Sequence, residues 1–373
     1  MSDLRLSGVD RARLLEALAL AEQSFGLTEP NPRVGCVLGF EDGRVIGSGA
    51  TQTAGSAHAE VMALRQAQTA GLPTAGATAW VTLEPCAHFG RTPPCCDALI
   101  TAGIARCVVA ARDPFPRVDG AGIERMRASG IVVDVLPVSD ALALQAREIN
   151  IGFFSRVERG RPWVRVKMAA SVDGRIALDD GRSQWITGEA ARADGHAWRR
   201  RASAVLTGIG TVLADDPRLD VRAVATARQP VRVVLDSSLR IPENAAVLRP
   251  PGEVIVVTAP EAASSVVQRL RARGVTIWNE GQESSASPLA DLLKRLARHG
   301  VNELHVEAGP TLVGALVQAD LIDEWLIYLA PMVIGPGRPL AALPALPGLD
   351  QAPRYHWHSA DRVGDDLRLR MRR

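Results

Sequence analysis

Three short motifs in the first hundred residues carry side chains that are suited to zinc chemistry. They are His58-Ala59-Glu60, Glu84-Pro85-Cys86 and Pro94-Cys95-Cys96. A catalytic zinc ion takes three protein ligands and leaves one position open for water, and one histidine with two cysteine thiolates meets that need. Glu60 follows His58 by two residues, so it can carry protons without binding the metal. We therefore predict that His58, Cys86 and Cys95 bind zinc and that Glu60 is catalytic.

The choice of ligands has alternatives. Cys96 or His88 could replace one of the three, although Cys95 directly follows a proline pair and Cys96 would project from another helix face. A purely structural zinc site would use a fourth ligand and leave Glu60 without a role. His-x-Glu followed by Pro-Cys is typical of zinc-dependent nucleobase deaminases, but here the two cysteines are nine positions apart rather than three.

The second half of the chain carries two weaker chemical signals. Only two of the 43 basic residues are lysines, and one of them, Lys167, ends a predicted strand. A lysine can lose its proton when buried, which arginine does not do at ordinary pH. The loop from 307 to 314 (Glu-Ala-Gly-Pro-Thr-Leu-Val-Gly) follows another strand and opens a helix, where a phosphate can approach the backbone. A full Gly-x-Gly-x-x-Gly fingerprint is absent.

Composition bounds the class of protein. A chain of 373 residues with 47% hydrophobic residues predicts about two globular domains. A net charge of +2 argues against a dedicated nucleic-acid binder. No apolar run reaches membrane-helix length and the start is charged, so we expect a cytoplasmic protein without a membrane segment. Cys36 and Cys107 stand in apolar runs and are expected to be buried strand residues.

Helical and strand patterns alternate along both halves, which predicts an α/β fold with largely parallel sheets. The polar stretch 155–162 is the best candidate for a linker, and we place the domain boundary after residue 152. The predicted first-half strands are 34–38, 44–49, 79–83, 107–111 and 131–136. The predicted second-half strands are 163–167, 204–206, 231–236, 254–258, 303–306 and 324–330.

Together these motifs resemble a known family. The zinc motifs, Asn31-Pro32-Arg33-Val34-Gly35, the insertion 90–96 and Asp113-Pro114 are similar to the deaminase half of the bacterial bifunctional riboflavin-biosynthesis deaminase/reductase. The segments 167–175, 183–187, 210–217 and 307–314 are similar to its reductase half. The resemblance implies a cytidine-deaminase-like three-layer domain over residues 1–152, followed by a dihydrofolate-reductase-like α/β domain over residues 153–373.

For the first domain, the resemblance assigns zinc to His58, Cys86 and Cys95 and the proton carrier to Glu60. It implies substrate contacts at Asn31, Arg91 and Asp113, with Arg91 facing a phosphate. The family usually reads Asp-Pro-Asn-Pro where this chain has Phe115 in third place, so one asparagine contact is missing or replaced.

For the second domain, the resemblance implies NADPH as the cofactor and a substrate contact at Lys167, which we predict to be catalytic. Arg199 and Arg222 suit a clamp on a ribose 5-phosphate, and Ser237 with nearby Arg240 suits a 2′-phosphate. The implied cofactor contacts are Ala169, Trp185, Thr211, Asp215, Ser237, Gly309, Pro310, Thr311, Leu312, Val313, Gly314 and Ala315. The implied substrate contacts are Ser183, Arg199, Leu219, Arg222 and Glu307.

The resulting expectation is a two-domain enzyme of riboflavin biosynthesis. The first domain would deaminate 2,5-diamino-6-(5-phosphoribosylamino)pyrimidin-4-one by hydrolysis with zinc, and the second would reduce the ribosyl group with NADPH. Its partners would be phosphoribosyl pyrimidines and copies of itself in a dimer or tetramer, with no nucleic acid and no membrane. The rival interpretations are a deaminase that edits tRNA or nucleotides, and a non-catalytic zinc-stabilised binding protein.

Overall fold

A computed structural model describes residues 6–89, 93–116, 118–259, 264–279 and 288–373. The chain divides into two units, Met1–Gly160 and Arg161–Arg373. The predicted boundary after residue 152 and the predicted linker 155–162 do not match this division, because the chain is helical from Ile151 to Arg159. Buried Phe153 and Phe154 anchor this helix, and Glu158 and Arg159 near its end are exposed. The helix ends at Gly160, whose φ of 67° is left-handed.

The first unit is built on a five-stranded sheet with the order β2-β1-β3-β4-β5. Strands β3, β4 and β5 are parallel, whereas β1 runs antiparallel to both of its neighbours. The elements are α1 Gly8–Gln23, β1 Gly35–Gly39, β2 Val45–Ala50, α2 Ala59–Thr69, β3 Thr78–Val81, α3 Cys95–Thr101, β4 Arg106–Val109, α4 Ala121–Ala128, β5 Val132–Val135, α5 Ala141–Ile149 and α6 Ile151–Arg159.

Two hydrophobic clusters, one on each face of this sheet, make the first unit a three-layer structure. Cys36 and Cys107 face α2, α3 and α4 in one cluster. Val37, Trp80 and Val108, which alternate with them along the strands, face α1 and α5 in the other. Both cysteines are fully buried in strands, as predicted. The three-layer α/β fold of this unit is therefore confirmed.

The second unit contains a nine-stranded sheet with the order β11-β10-β9-β8-β12-β6-β13-β16-β15. Its first seven strands are parallel, and the last two continue it as an antiparallel hairpin. The elements are β6 Trp163–Ser171, β7 Arg175–Leu178, α7 Glu189–Arg201, β8 Ala204–Gly208, α8 Ile209–Asp215, β9 Val231–Leu235, β10 Val254–Thr258, α9 Ser264–Ala272, β11 Thr276–Asn279, α10 Pro288–Arg298, β12 Glu303–Val306, α11 Pro310–Gln318, β13 Glu324–Ala330, β14 Gly337–Pro339, β15 His356–Val363 and β16 Asp366–Arg372.

A buried ionic layer lies on one face of this sheet. Arg165 on β6 is fully buried and donates to Glu303 at 2.9 Å and to Glu324 at 3.0 Å. Both carboxylates are themselves fully buried. Arg201 adds a further bond to Glu303 at 2.8 Å. This network ties β6, β12 and β13 together near their amino ends, whereas the second candidate site lies towards their carboxyl ends.

Candidate functional sites

The three predicted zinc ligands come from three different elements of the first unit and meet at one point. His58 is the residue that precedes α2, Cys86 follows β3, and Cys95 opens α3. His58 Nδ1 lies 3.7 Å from Cys86 Sγ and 3.2 Å from Cys95 Sγ. Nitrogen and sulfur ligands of a tetrahedral zinc ion are about 3.6 Å apart at ordinary bond lengths. The donor set and its spacing therefore fit zinc.

The alternative ligands are not part of this group. In the described part of the chain, His58, Cys86 and Cys95 form the one cluster whose ligand atoms all lie within 4.8 Å of one another. Cys96 Sγ turns instead towards Asp97 Oδ1, at 3.7 Å. The His88 ring packs against Phe115, with 5.8 Å between ring centroids.

Proton affinities around the cluster are shifted by burial and by the thiols. The hydrogen bond with Cys95 is the main reason why the pKa of Cys86 falls to about 4, while the same bond and burial raise the pKa of Cys95. Burial, followed by the charge of Cys86, raises the pKa of Glu60 to about 7. Glu60 is almost fully buried in the first turn of α2. It is a buried carboxyl that can hold or release a proton beside the predicted zinc ligands.

Glu84 holds the segment at the start of α4, a role that the sequence did not reveal. Its Oε1 accepts hydrogen bonds from the Gly122 and Ile123 amides at 3.1 and 3.3 Å, and its Oε2 accepts one from Gly120 at 3.0 Å. The chain passes so closely here that a Cβ atom on Gly122 would lie 2.0 Å from the Pro85 carbonyl oxygen. Glu84 and Gly122 therefore hold the segment that presents Cys86.

A cavity of about 380 Å³ opens onto this cluster. Two predicted substrate contacts, Asn31 and Asp113, line it together with Glu60. Burial raises the pKa of Asp113 to about 7, and its Oδ1 accepts a hydrogen bond from the Phe115 amide at 2.8 Å. The Phe115 ring also lines the cavity, where the family pattern has an asparagine. Arg91 lies outside the described residues.

The second unit has its own cavity, of about 830 Å³, at the carboxyl ends of β6, β8, β9 and β12. Ligands of open α/β sheets bind at such an edge. Most of the predicted reductase-site residues line it, namely Lys167, Ala169, Ser183, Arg199, Thr211, Asp215, Leu219, Ser237, Glu307, Gly309, Pro310, Thr311, Leu312 and Ala315. Arg240, the expected partner of a 2′-phosphate, lines it too.

Four predicted contacts lie elsewhere. Val313 is fully buried in the core, and Gly314 packs against the Ala342 carbonyl, because this face of α11 turns away from the cavity. Trp185 is two-thirds exposed beneath the Arg192 guanidinium, which lies 4.7 Å from its ring centre. Arg222 is half exposed and pairs with Asp220 at 2.8 Å. Neither Trp185 nor Arg222 lines the cavity.

Three charged groups meet at the centre of the second cavity. Arg199 donates two hydrogen bonds to Glu307, one of them at 2.9 Å to Oε2. Burial by itself would raise the pKa of Glu307. The charge and hydrogen bonds of Arg199 outweigh burial and hold this pKa well below its usual range. Burial lowers the pKa of Lys167, against the opposing effect of Glu307. Lys167 is thus a partly buried amine whose proton is easier to give up than that of a surface lysine.

The loop that opens α11 is shaped for a cofactor phosphate. Gly309 precedes the helix, Pro310 is its first residue, and the Gly309 amide donates to Thr211 Oγ1 at 3.2 Å. The amides of a helix N-terminus attract anions. With the size of the cavity and the presence of Arg240 and Ser237, these residues fit a phosphorylated dinucleotide.

Comparisons with known proteins match both halves of the chain. The family model of the cytidine and deoxycytidylate deaminase zinc-binding region matches residues 9–111, and that of the RibD C-terminal domain matches residues 162–367. The riboflavin biosynthesis protein RibD of Escherichia coli is 41% identical over 97% of this chain and 99% of its own length. The chain belongs to the bifunctional riboflavin-biosynthesis deaminase/reductase family.

Solved structures of the family share the whole fold. One form of Acinetobacter baumannii RibD superposes with a TM-score of 0.87 at 39% identity, over 98% of both chains. The diaminohydroxyphosphoribosylaminopyrimidine deaminase/5-amino-6-(5-phosphoribosylamino)uracil reductase of Thermotoga maritima gives 0.86 at 32% identity, with the same coverage. The predicted fold class is confirmed in both halves.

Family membership establishes the chemistry of the two halves. The chain is a deaminase and reductase of riboflavin biosynthesis, with zinc in the first activity and NADPH in the second. In the part of the chain that the structure describes, each helix is too short or too polar to cross a membrane.

Proposed function

We propose that His58, Cys86 and Cys95 hold the zinc ion and that Glu60 is the proton carrier of the deaminase. The observation that carries this assignment is the meeting of three ligand atoms within 4.8 Å at a cavity that Glu60 also lines. When bound, zinc supplies the Lewis acidity that makes a water molecule nucleophilic near neutral pH. Glu60 is the acid and base that works beside it.

Glu60 completes the hydrolysis by moving one proton. Its carboxylate takes a proton from the attacking water as the water oxygen bonds to the ring carbon that bears the amine. It then gives that proton to the amine, the carbon–nitrogen bond breaks, and ammonia leaves, while the proton left on the oxygen moves to the adjacent ring nitrogen to give the carbonyl product. Asn31 and Asp113 orient the pyrimidine ring, and the Phe115 ring covers the position where the family pattern offers an asparagine.

We propose that Lys167 and Glu307 act on the opened sugar in the reductase. When bound, NADPH supplies the hydride that C1′ of the ribosyl group accepts. Lys167, whose pKa burial lowers, gives a proton to the sugar oxygen as the ring opens. Glu307 and Arg199 hold this amine and the sugar hydroxyls in place.

The setting of the enzyme is a further part of the proposal. We propose a cytoplasmic location, which the five unpaired cysteines support because thiols stay reduced in that compartment. We also propose a homo-oligomer, a dimer or tetramer. It is supported by β15, an edge strand of the nine-stranded sheet that exposes Trp357. Light scattering of the purified chain tests the oligomeric state.

The test of the proposed function is a pair of assays on one preparation. With the phosphoribosyl diaminopyrimidinone, the protein should release ammonia without NADPH and oxidise NADPH only after deamination. A chelator that removes zinc should stop ammonia release and leave reduction of the deaminated substrate intact. Deamination of RNA but not of the pyrimidine would favour an editing deaminase and overturn the proposal.

A further inference from the structure

The amine of Lys167 must keep its proton inside a partly buried site until the substrate takes it. Burial lowers the pKa of this amine, the carboxylate of Glu307 raises it, and the Arg199 guanidinium lowers it. Glu307 also accepts two hydrogen bonds from Arg199, so it serves two cations at once. A proton donor works only if it is protonated and its donor atom points at the acceptor. A further contact of Lys167 therefore bears directly on the reaction.

The ring of Tyr328 lies against this amine. The Lys167 Nζ atom is 5.8 Å from the centre of the ring. Both side chains leave the same face of the nine-stranded sheet, because Tyr328 on β13 lies opposite Ala169 on β6, two residues beyond Lys167. An ammonium group within about 6 Å of an aromatic ring centre is attracted to the negative face of the ring. Tyr328 is 1% exposed, so water does little to screen this attraction.

Two charged residues fix the ring from its outer end. The Tyr328 hydroxyl donates a hydrogen bond to Asp194 Oδ2 on α7 at 2.6 Å. Arg368 on β16 donates to both carboxylate oxygens of Asp194, at 3.2 and 3.0 Å. Arg368 also lies directly opposite Tyr328 in the antiparallel pair of β13 and β16. The ring is thus held by the sheet at its base and by α7 at its hydroxyl.

We propose that Tyr328 is a positioning residue of the reductase, whose ring face holds the Lys167 ammonium and directs it at the sugar of the substrate. This inference rests on the proposed function, since it concerns Lys167 as the proton donor. The ring face attracts the protonated amine far more than the neutral one, so it keeps the proton on Lys167. Tyr328 on β13 and Glu307 after β12 act in this direction, against burial and Arg199 on α7.

The other titratable groups around the site do not change charge where Lys167 does. Against burial, Arg199 holds the pKa of Glu307 well below its usual range. Burial lowers the pKa of His305, which lies 3.5 Å from Glu307, and burial lowers that of His196 to about 4. Burial and the hydrogen bond to Asp194 raise the pKa of Tyr328. A titration in the alkaline range therefore reports on Lys167.

The first test measures the pKa of Lys167 without turnover. Acetic anhydride acylates only the unprotonated amine, and the chain has two lysines, so Lys294, which is 58% exposed, is an internal reference. Mass spectrometry of the two lysine peptides, labelled at several pH values in the full chain, gives the Lys167 pKa. Tyr328→Leu should lower it by about 0.5 to 1 unit, the size expected of a cation–π contact. Tyr328→Phe keeps the ring and should lower it by less than about half as much.

The second test is the pH profile of NADPH oxidation with the deaminated substrate. In Tyr328→Leu the basic limb of kcat/KM should move to lower pH by the same amount as the labelling pKa. kcat at the optimum should fall about 10-fold, because the amine is less well directed at the sugar. KM for NADPH should change less than about twofold, since Tyr328 does not line the cavity. Tyr328→Phe should keep most of kcat.

Two further variants separate the ring from general packing. Ile327→Ala removes a buried side chain from the same strand on the opposite face, where Ile327 belongs to the cluster of Val166 and Met168. It should lower the melting temperature of the second unit and leave the Lys167 pKa and the basic limb unchanged. Tyr328→Met fills the space of the ring with a flexible side chain, and it carries the same expectation if the leucine variant does not fold.

Three results would overturn the inference. One is an unchanged Lys167 pKa in the folded leucine or methionine variant. Another is an equal fall in Tyr328→Phe, which would assign the effect to the hydroxyl and Asp194. The third is an equal fall in Ile327→Ala, which would make it an effect of packing. Failure of the proposed function would look different, because Lys167→Ala would then still oxidise NADPH while the Tyr328 variants shifted the labelling pKa.

Discussion

Replacing Glu307 by glutamine isolates the charge at the centre of the reductase site. In the wild type, Glu307 accepts two hydrogen bonds from Arg199, and both side chains are at least four-fifths buried. The glutamine oxygen can accept one of these bonds, but the Arg199 charge loses its counter-ion. Breaking a buried ion pair costs about 3–5 kcal/mol, and the retained acceptor places this variant near the lower end.

A loss of about 3 kcal/mol should lower the melting temperature of the reductase unit by about 6–12 °C. The difference in melting temperature between the wild type and Glu307→Gln should reach its full size above the ordinary pKa of glutamate. It should shrink in acid, because the folded-state pKa of Glu307 is depressed and its stabilisation is lost as the pH falls towards that pKa. Calorimetry of the full chain at several pH values measures this.

The same substitution should change the pH profile of reduction. Glu307 raises the pKa of Lys167, so Glu307→Gln lets burial lower that pKa further. If protonated Lys167 is the donor, the basic limb of kcat/KM should move to lower pH. Arg269→Gln is the control, since this half-exposed arginine pairs with the exposed Glu243 and should cost less than about 1 kcal/mol. An unchanged melting temperature and an unchanged profile for Glu307→Gln would refute the reasoning.

Three further predictions concern the metal ligands and the packing. Cys95→Ser should reduce bound zinc well below one ion per chain, whereas Cys96→Ala should retain it, because Cys96 faces Asp97; elemental analysis distinguishes them, and equal zinc loss would be contrary evidence. Gly122→Ala should weaken zinc binding about 10-fold or more in chelator competition, because its Cβ would clash with the Pro85 carbonyl and shift the segment before Cys86. Arg165→Met should destabilise the second unit by about 3–5 kcal/mol in denaturant unfolding by leaving Glu303 and Glu324 without their shared cation; a loss below 1 kcal/mol would show that Arg201 and its neighbours suffice.

The clustering of His58, Cys86 and Cys95 could be predicted because metal chemistry limits the residue types. Few patterns other than a metal site bring one histidine, two cysteines and a nearby glutamate together after strands and at helix starts. The choice of Cys95 over Cys96 depends on the direction of the first turn of α3, and the structure shows Cys95 turned to His58. The loop before α11 could be predicted for a similar reason, since its glycine and proline are typical of a helix start.

The parts that sequence reasoning missed depend on tertiary packing. The polar stretch 155–162 suggested a linker, although most of it belongs to α6. The aromatic residues that hold this helix against the core, Phe153 and Phe154, lie just before that stretch. Glu84 looked like part of a metal motif, although its oxygens are used by backbone amides more than 30 residues away. Val313 and Gly314 belong to a matching loop motif, but the rotation of α11 turns them into the core. Such orientations follow from contacts that are distant in sequence.

The most direct test of the account separates the two activities within one chain. Ammonia release, NADPH oxidation and zinc content should be measured together for the wild type, Glu60→Gln and Lys167→Ala. The account predicts that Glu60→Gln keeps zinc and the reduction of deaminated substrate but loses ammonia release by at least 100-fold. Lys167→Ala should keep zinc and ammonia release but lose NADPH oxidation. Loss of both activities in either folded variant, or full deamination by Glu60→Gln, would contradict it.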